Sequence, residues 1–145
     1  MSTLYLVACS ATKGKLPAPA RDLYQGGCFK LARSWIEAIG APWLILSARH
    51  GVVRPEERIA PYEQALLKAP APWRLGWAKR VLVRLEEIPS YRSASHVVLL
   101  AGSVYAEYLV EGMERRGLQV SAPLARKGIG DQLGYLSGKV REVRP

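Results

Sequence analysis

An α/β fold, a three-layer sandwich around a mainly parallel central sheet, is predicted by three features of the chain. Trp43-Leu44-Ile45-Leu46 and His96 to Ala101 are short apolar runs that end at turns, as buried central strands do. Between residues 28 and 39 the apolar positions Phe29, Leu31, Ala32, Trp35, Ile36 and Ile39 fall instead on one helical face. Strand and helix patterns follow one another along 145 residues, a length that suits a single α/β domain over 1–145.

Leu4 to Cys9 reads as the first strand, because it lacks a basic start and is too short for a secretory leader. Thr12 to Pro19 reads as a loop rich in Lys and Pro, and the Cys28 to Ile39 helix stops at Gly40. A strand at Pro42 to Leu46 completes a β-α-β unit, which fixes parallel strands and a right-handed crossover. Beyond the Pro55 to Pro61 loop, Tyr62 to Leu67 is expected as a short helix. Pro72 opens a longer one, with Trp73, Leu75, Trp77, Val81, Leu82 and Leu85 on its apolar stripe and Arg74, Lys79, Arg80 and Arg84 around them. After His96 to Ala101, a helix from Val104 to about Arg116 is expected, capped by Ser103 and ended by Gly117. Leu118 to Ala122 reads as a strand, Pro123 to Gly134 as a glycine-bearing loop, and Lys139 to Pro145 as a basic tail without structure.

Hydrophobic residues at 49% and charged residues at 23% exclude disorder, collagen and a disulfide scaffold. No apolar run approaches the ~20 residues of a membrane span, so a cytoplasmic protein with no membrane partner is expected. Cys9 and Cys28 are too few for a disulfide framework, and no Cys/His spacing suits zinc; neither metal nor cofactor is expected. The excess of 21 Lys+Arg over 12 Asp+Glu, a net +9, favours encounter with nucleic acid or a phosphorylated nucleotide. An Arg-rich solvated surface suited to high temperature explains the same charge, and the Trp73 to Arg84 helix is open to both readings. Oligomeric state is not encoded in any pattern here.

The chemistry-bearing residues gather where strands end. Ser47, His50 and Arg54 follow the Trp43 to Leu46 strand, with Tyr62 and Glu63 closing the same loop, and ligands of open α/β sheets bind at strand carboxyl ends. His50 exchanges protons near neutral pH and is expected within reach of Ser47 or a bound base. Glu63 is either a general base or an acid favoured by a helix dipole. Tyr24 and Tyr62 either stack on a flat ring or act as lids over the core. At the end of the first strand Cys9, Ser10 and Lys13 can together hold a phosphate, although Walker-type glycine spacing is absent. Cys9 is a nucleophile if Lys13 or His50 lowers its pKa, and otherwise a small buried apolar group. Gly102 and Ser103, followed by Tyr105, form a second ligand wall at a helix start.

Leu46-Ser47 through Gly51, then Arg54-Pro55 and Pro61-Tyr62, resemble the Leu-Ser-x-x-Tyr-Gly, Arg-Pro and Pro-Tyr signature of the YaaA-like peroxide-stress, DNA-binding proteins. The chain is more similar still to short uncharacterised bacterial and phage proteins with a Cys-x-x-x-Lys start, a Leu-Tyr element at Leu23-Tyr24, and Ser-Ala-x-His-Gly at Ser47 to Gly51. Leu100-Ala101-Gly102 with Tyr105, and Pro123-Leu124 with Gly128 and Gly130, extend the likeness in weaker motifs. The Cys-Ser-x-x-Lys strand end also resembles one in the archaeosine synthase core, and a distant architectural likeness to uracil-DNA glycosylases follows. Two departures stand out: His50 replaces the YaaA tyrosine, and 145 residues leave little room for the helical DNA-binding segments of the longer members.

The resemblance implies a pocket for a purine or pyrimidine. The resulting expectation is a protein acting on nucleotide or nucleic-acid bases, an N-glycosidic hydrolase or transferase, with His50, Ser47 and Cys9 in catalysis. Ser10, Lys13, Tyr24, Arg54, Tyr62, Glu63, Gly102, Ser103 and Tyr105 would bind substrate. The second reading is a non-catalytic DNA- or RNA-binding protein of the oxidative-stress response.

Overall fold

The computed structural model describes residues 2–64 and 68–144. In chain order its elements are β1 (Thr3–Ala8), β2 (Ala18–Pro19), α1 (Ala20–Leu23), α2 (Gly27–Ile39), β3 (Trp43–Ser47), β4 (Gly51–Val53), β5 (Arg58–Ile59), α3 (Ala71–Leu85), α4 (Pro89–Arg92), β6 (His96–Leu100), α5 (Ser103–Ala106), α6 (Leu109–Arg115), β7 (Gln119–Ser121) and α7 (Ile129–Val143). Five strands make the central sheet in the order β4-β3-β1-β6-β7; only β4 runs antiparallel to its neighbour. β2 and β5 form a small antiparallel ribbon apart from it.

Alternation along the strands sorts side chains to two faces. Leu4, Leu6, Leu44, Leu46, Val97 and Leu99 meet Trp77, Val81 and Leu85 of α3 and Leu109 and Met113 of α6. Val7, Ile45, Val98 and Leu100 meet Phe29, Ala32 and Ile36 of α2 and Leu136 and Val140 of α7. Helices thus cover both faces of a mainly parallel sheet, the three-layer α/β architecture. Each fully buried Leu or Ile contributes roughly 1.5–3 kcal/mol relative to an exposed one, so these two faces supply the main drive to fold.

β1 is flanked by β3 on one side and β6 on the other, with Val7 opposite both Ile45 and Leu100. The first crossover leaves β1 one way and the later one arrives the other way. Backbone departing in opposite directions opens a crevice at the carboxyl ends of β1 and β6.

Five expectations from sequence are corrected. The segment after Ser47 is a hairpin rather than a loop: Ala48 to His50 turn the chain and β4 returns along β3, pairing Gly51 with Ser47. Gly51 has φ +76°, the left-handed conformation such a tight return needs, and Val52 and Val53 are buried at the sheet's edge. Ile129–Val143 form α7, against the expected loop running to Gly134 and the expected unstructured tail from Lys139. Gly130, Gly134 and Gly138 each cost about 1 kcal/mol of helix propensity, which hid the helix, but burial of Leu136 and Val140 against α2 offsets them.

The helix expected from Val104 to Arg116 breaks at Glu107 and Tyr108 into α5 and α6. α6 follows its own packing direction on α3, so close that a Cβ on Gly112 would lie 2.5 Å from Leu82 Cδ1. Ser103 is not a cap: Gly102 holds the N-cap position, and Ser103 Oγ accepts the Arg126 N–H at 2.9 Å. Of the expected Tyr62 to Leu67 helix, Tyr62 to Gln64 have no regular structure and residues 65–67 lie outside the described ones.

Candidate functional site

At the carboxyl ends of β1 and β6 lies a cavity of about 570 Å³. Its floor is apolar, with Val7, Phe29, Ala32, Leu100, Leu124 and Leu136, and its upper wall carries Cys9, Ser10, Cys28, Ser103, Tyr105, Lys127 and Gln132. Among the described residues no Asp or Glu lines it. A concave, mainly apolar space with a few converging polar groups is the usual form of a small-molecule site.

The β1 side is built by backbone economy. Ser10 Oγ donates to Thr12 O at 2.7 Å and accepts the Gly26 N–H at 3.1 Å, tying the strand end to the start of α2. Only glycine permits this approach, because a Cβ at position 26 would stand 2.7 Å from Ser10 Cβ. Cys9 then faces the β6 side, where its sulfur lies 3.2 Å from the Tyr105 hydroxyl. Burial, reinforced by Cys9, pushes the Tyr105 phenol far above its usual range, so it stays protonated. Tyr105 stacks edge-on against Trp77 at 5.4 Å, and Trp77 Nε1 donates to Ser47 O at 2.9 Å.

Ser47 joins this wall to a second cluster. It is 0% exposed, and its Oγ accepts the backbone N–H of His50 at 3.0 Å and lies 2.7 Å from Tyr62 Oη. Tyr62 Oη is in turn 2.7 Å from Tyr24 Oη. Burial raises both phenols, so the three hydroxyls form a protonated chain rather than a charged one. Lys13 Nζ sits 4.3 Å from the Tyr62 ring centre, a cation–π contact, and donates to Ala11 O at 3.3 Å. Lys13, Tyr62 and Glu63 border a separate groove of about 350 Å³ beside the cluster.

Cys9, Ser10, Gly102, Ser103 and Tyr105 thus share the cavity wall, and Ser47, Tyr24, Tyr62 and Lys13 share the adjoining cluster. Three expected roles change. Tyr24 is 1% exposed and packed against Phe29, so its ring has no free face for stacking on a ligand. His50 is exposed and turns its ring edge-on to Tyr62 at 5.3 Å; its main chain, not its imidazole, bonds Ser47. Burial and the neighbouring Arg49 lower its pKa, which keeps the ring neutral at pH 7.

Arg54 lies elsewhere. β4 carries the chain back along β3, so Arg54 borders a different cavity of about 470 Å³ with Arg21, Pro42 and Trp43 at the amino end of β3. An antiparallel return three residues long was invisible in a motif read as one loop.

Lys127, Gln132 and Trp77 were missed, and Cys28, read as the start of a helix, joins them in the site. Trp77 reads as one more apolar stripe residue, and Lys127 and Gln132 fall in a stretch with no periodic signal strong enough to place them. Burial raises the Cys28 thiol pKa, so it remains S–H. Among the described residues no group of three or more His, Cys, Asp or Glu is placed to hold a metal ion.

No curated protein and no solved structure matches the chain. Residues 4–138 match the model of DUF6884, a family of unknown function, and the chain belongs to that family.

Proposed function

We propose that the protein acts on the base of a nucleoside, nucleotide or nucleic-acid strand, as an N-glycosidic hydrolase or transferase, with the base seated in the cavity between β1 and β6. The observation that carries this reading is the cavity itself: about 570 Å³, apolar below, with thiol, hydroxyl and amide groups above. A flat heterocycle matches an apolar slot with polar groups at one rim. The Ser47 to Gly51 resemblance described above supports the same class of ligand.

Hydrolysis of an N-glycosidic bond joins a water oxygen to the sugar C1′, and the broken bond's electron pair leaves on the base nitrogen. Stabilisation is most useful where that negative charge develops. Tyr105, held protonated by burial, is the donor available there. Cys9 shares its hydrogen bond; in a transfer reaction its sulfur would bond to the sugar C1′ as the base leaves with the broken bond's electron pair, and an incoming base nitrogen would then displace the sulfur. His50 stands outside the cavity lining, so we assign it no proton transfer. Ser47 acts by holding Tyr62.

The test is incubation of the purified protein with nucleosides, nucleotides and short DNA and RNA strands carrying normal and modified bases, with released base followed by mass spectrometry. Release by the wild type that falls by roughly 10² or more in Tyr105→Phe is expected. Absence of release across the panel sinks the enzymatic reading.

A second reading, non-catalytic nucleic-acid binding, is favoured by α3, whose Lys79, Arg80 and Arg84 are exposed on a chain of net charge +9. Its signature is retention of strands that weakens steeply with salt, without released base. No helix is long and apolar enough to cross a membrane among the described residues. We place the protein in the cytoplasm, where the free Cys9 and Cys28 persist as thiols.

A further inference from the structure

We infer that Gln132 is the residue that reads the polar edge of the ligand, and that the ligand is an unpaired base. This rests on the base-binding reading above and specifies which side chain would pair with the base edge.

Gln132 lies in the first turn of α7 and lines the cavity. Its Nε2 donates to the Lys127 carbonyl at 2.9 Å, which fixes the plane and direction of the amide. The same nitrogen comes within 3.6 Å of the place a Cβ on Gly102 would occupy, so the side chain reaches from α7 to the end of β6. Among the described residues Oε1 has one partner, the Cys28 thiol at 3.9 Å, a long and weak donor. One N–H and the carbonyl oxygen, a donor beside an acceptor, therefore stay available to a ligand.

Among the other polar groups of the wall, Ser10 is tied to Thr12 and Gly26, Ser103 Oγ accepts the Arg126 N–H, Lys127 Nζ donates to Pro123 O, and Tyr105, beside Cys9, is the donor already assigned to the departing base nitrogen. Gln132 is the side-chain amide of this lining. An amide pairs in two-point fashion with any edge that offers a donor next to an acceptor, as adenine, cytosine, uracil and guanine each do. A carboxylate at the same place accepts only, and among these bases only guanine, through its ring N–H and amino group, offers two adjacent donors. A base whose polar edge is bound here, with its ring in the apolar slot, has left any duplex stack.

The experiment measures affinity of the four nucleoside 5′-monophosphates by calorimetry for wild type, Gln132→Leu and Gln132→Glu. Gln132→Leu is expected to weaken every nucleotide that the wild type binds by roughly ten-fold or more. Gln132→Glu is expected to weaken adenine, cytosine and uracil nucleotides by a similar factor and to bring guanine to the top of the order. The Glu variant is close in shape to the native residue and keeps the test open if the Leu variant does not fold; because it also gives up the bond to the Lys127 carbonyl, the rise of guanine in the order, not the loss of the other bases, is the result specific to pairing. Binding by the wild type with an unchanged order in the Glu variant overturns the role of Gln132 and leaves the base-binding reading standing. No binding of any nucleotide or single strand by the wild type overturns both.

Discussion

The Tyr62 hydroxyl lies 2.7 Å from Ser47 Oγ, joining a loop residue to the last residue of a buried strand. Through that contact the end of β3 holds Tyr62, and Tyr62 holds Tyr24 and carries Lys13 on its ring. Because Ser47 O also receives the Trp77 indole N–H, one residue links the hydroxyl chain to the Cys9 and Tyr105 wall.

Ser47→Ala removes an acceptor for the His50 N–H and a partner for Tyr62 in a fully buried position. Leaving buried groups unpaired costs about 1–3 kcal/mol, which urea denaturation should show as a lower midpoint with an unchanged slope. A midpoint equal to the wild type's would mean that the hydroxyl chain holds nothing in place.

Alkaline pH should destabilise the fold from its usual tyrosine range upward. Burial raises Tyr24, Tyr62 and Tyr105 above the ordinary value of 10.0. Above pH 10 the unfolded chain loses protons that the native state keeps, so stability present below that pH declines as pH rises. Ultraviolet titration of the 7 tyrosines should show a fraction that ionises only with loss of far-ultraviolet circular dichroism. Smooth titration of all of them with the fold intact contradicts the buried chain.

Acidification acts through His50 with the opposite sign. Its pKa is lowered from 6.5, so as pH falls through 6.5 the unfolded chain takes up a proton before the native one does, and stability is lost. His50→Gln should flatten the dependence of the thermal midpoint on pH in the window just below 6.5. An unaltered slope would show that this ring does not feel Arg49 and its partial burial.

Gly51→Ala forces a side chain into a backbone with φ +76°. The expected cost is about 1–2 kcal/mol, read by the same denaturation, although the nearest neighbour of the new Cβ, Val81 Cγ2 at 3.7 Å, leaves room for it. An unchanged stability would locate the turn's strain elsewhere.

Arg54→Ala should leave ligand affinity unchanged, since Arg54 borders the cavity at the opposite end of the sheet. Tyr105→Phe, in the same binding assay, should weaken it. Equal losses in both variants would move the site away from the β1 and β6 ends.

Periodicity and strand-end logic by themselves determined the α/β class, the β1-α2-β3 unit, the Gly40 stop and the gathering of Cys9, Ser10, Gly102, Ser103 and Tyr105 at one end of the sheet. These rest on local signals: which face a side chain takes, and where a run of apolar residues ends. Tertiary structure alone decided the rest. The β4 hairpin sends Arg54 away from Ser47 although the two are seven residues apart, because a reversal of three residues leaves no period to read. α7 exists because α2 offers a surface for Leu136 and Val140, a gain that glycines at 130, 134 and 138 conceal in the chain itself. Burial settled the chemistry last. It converts Tyr24 from a stacking ring into a core residue, keeps Tyr62 and Tyr105 protonated, and brings Gln132 across to Gly102, none of which follows from residue type or spacing.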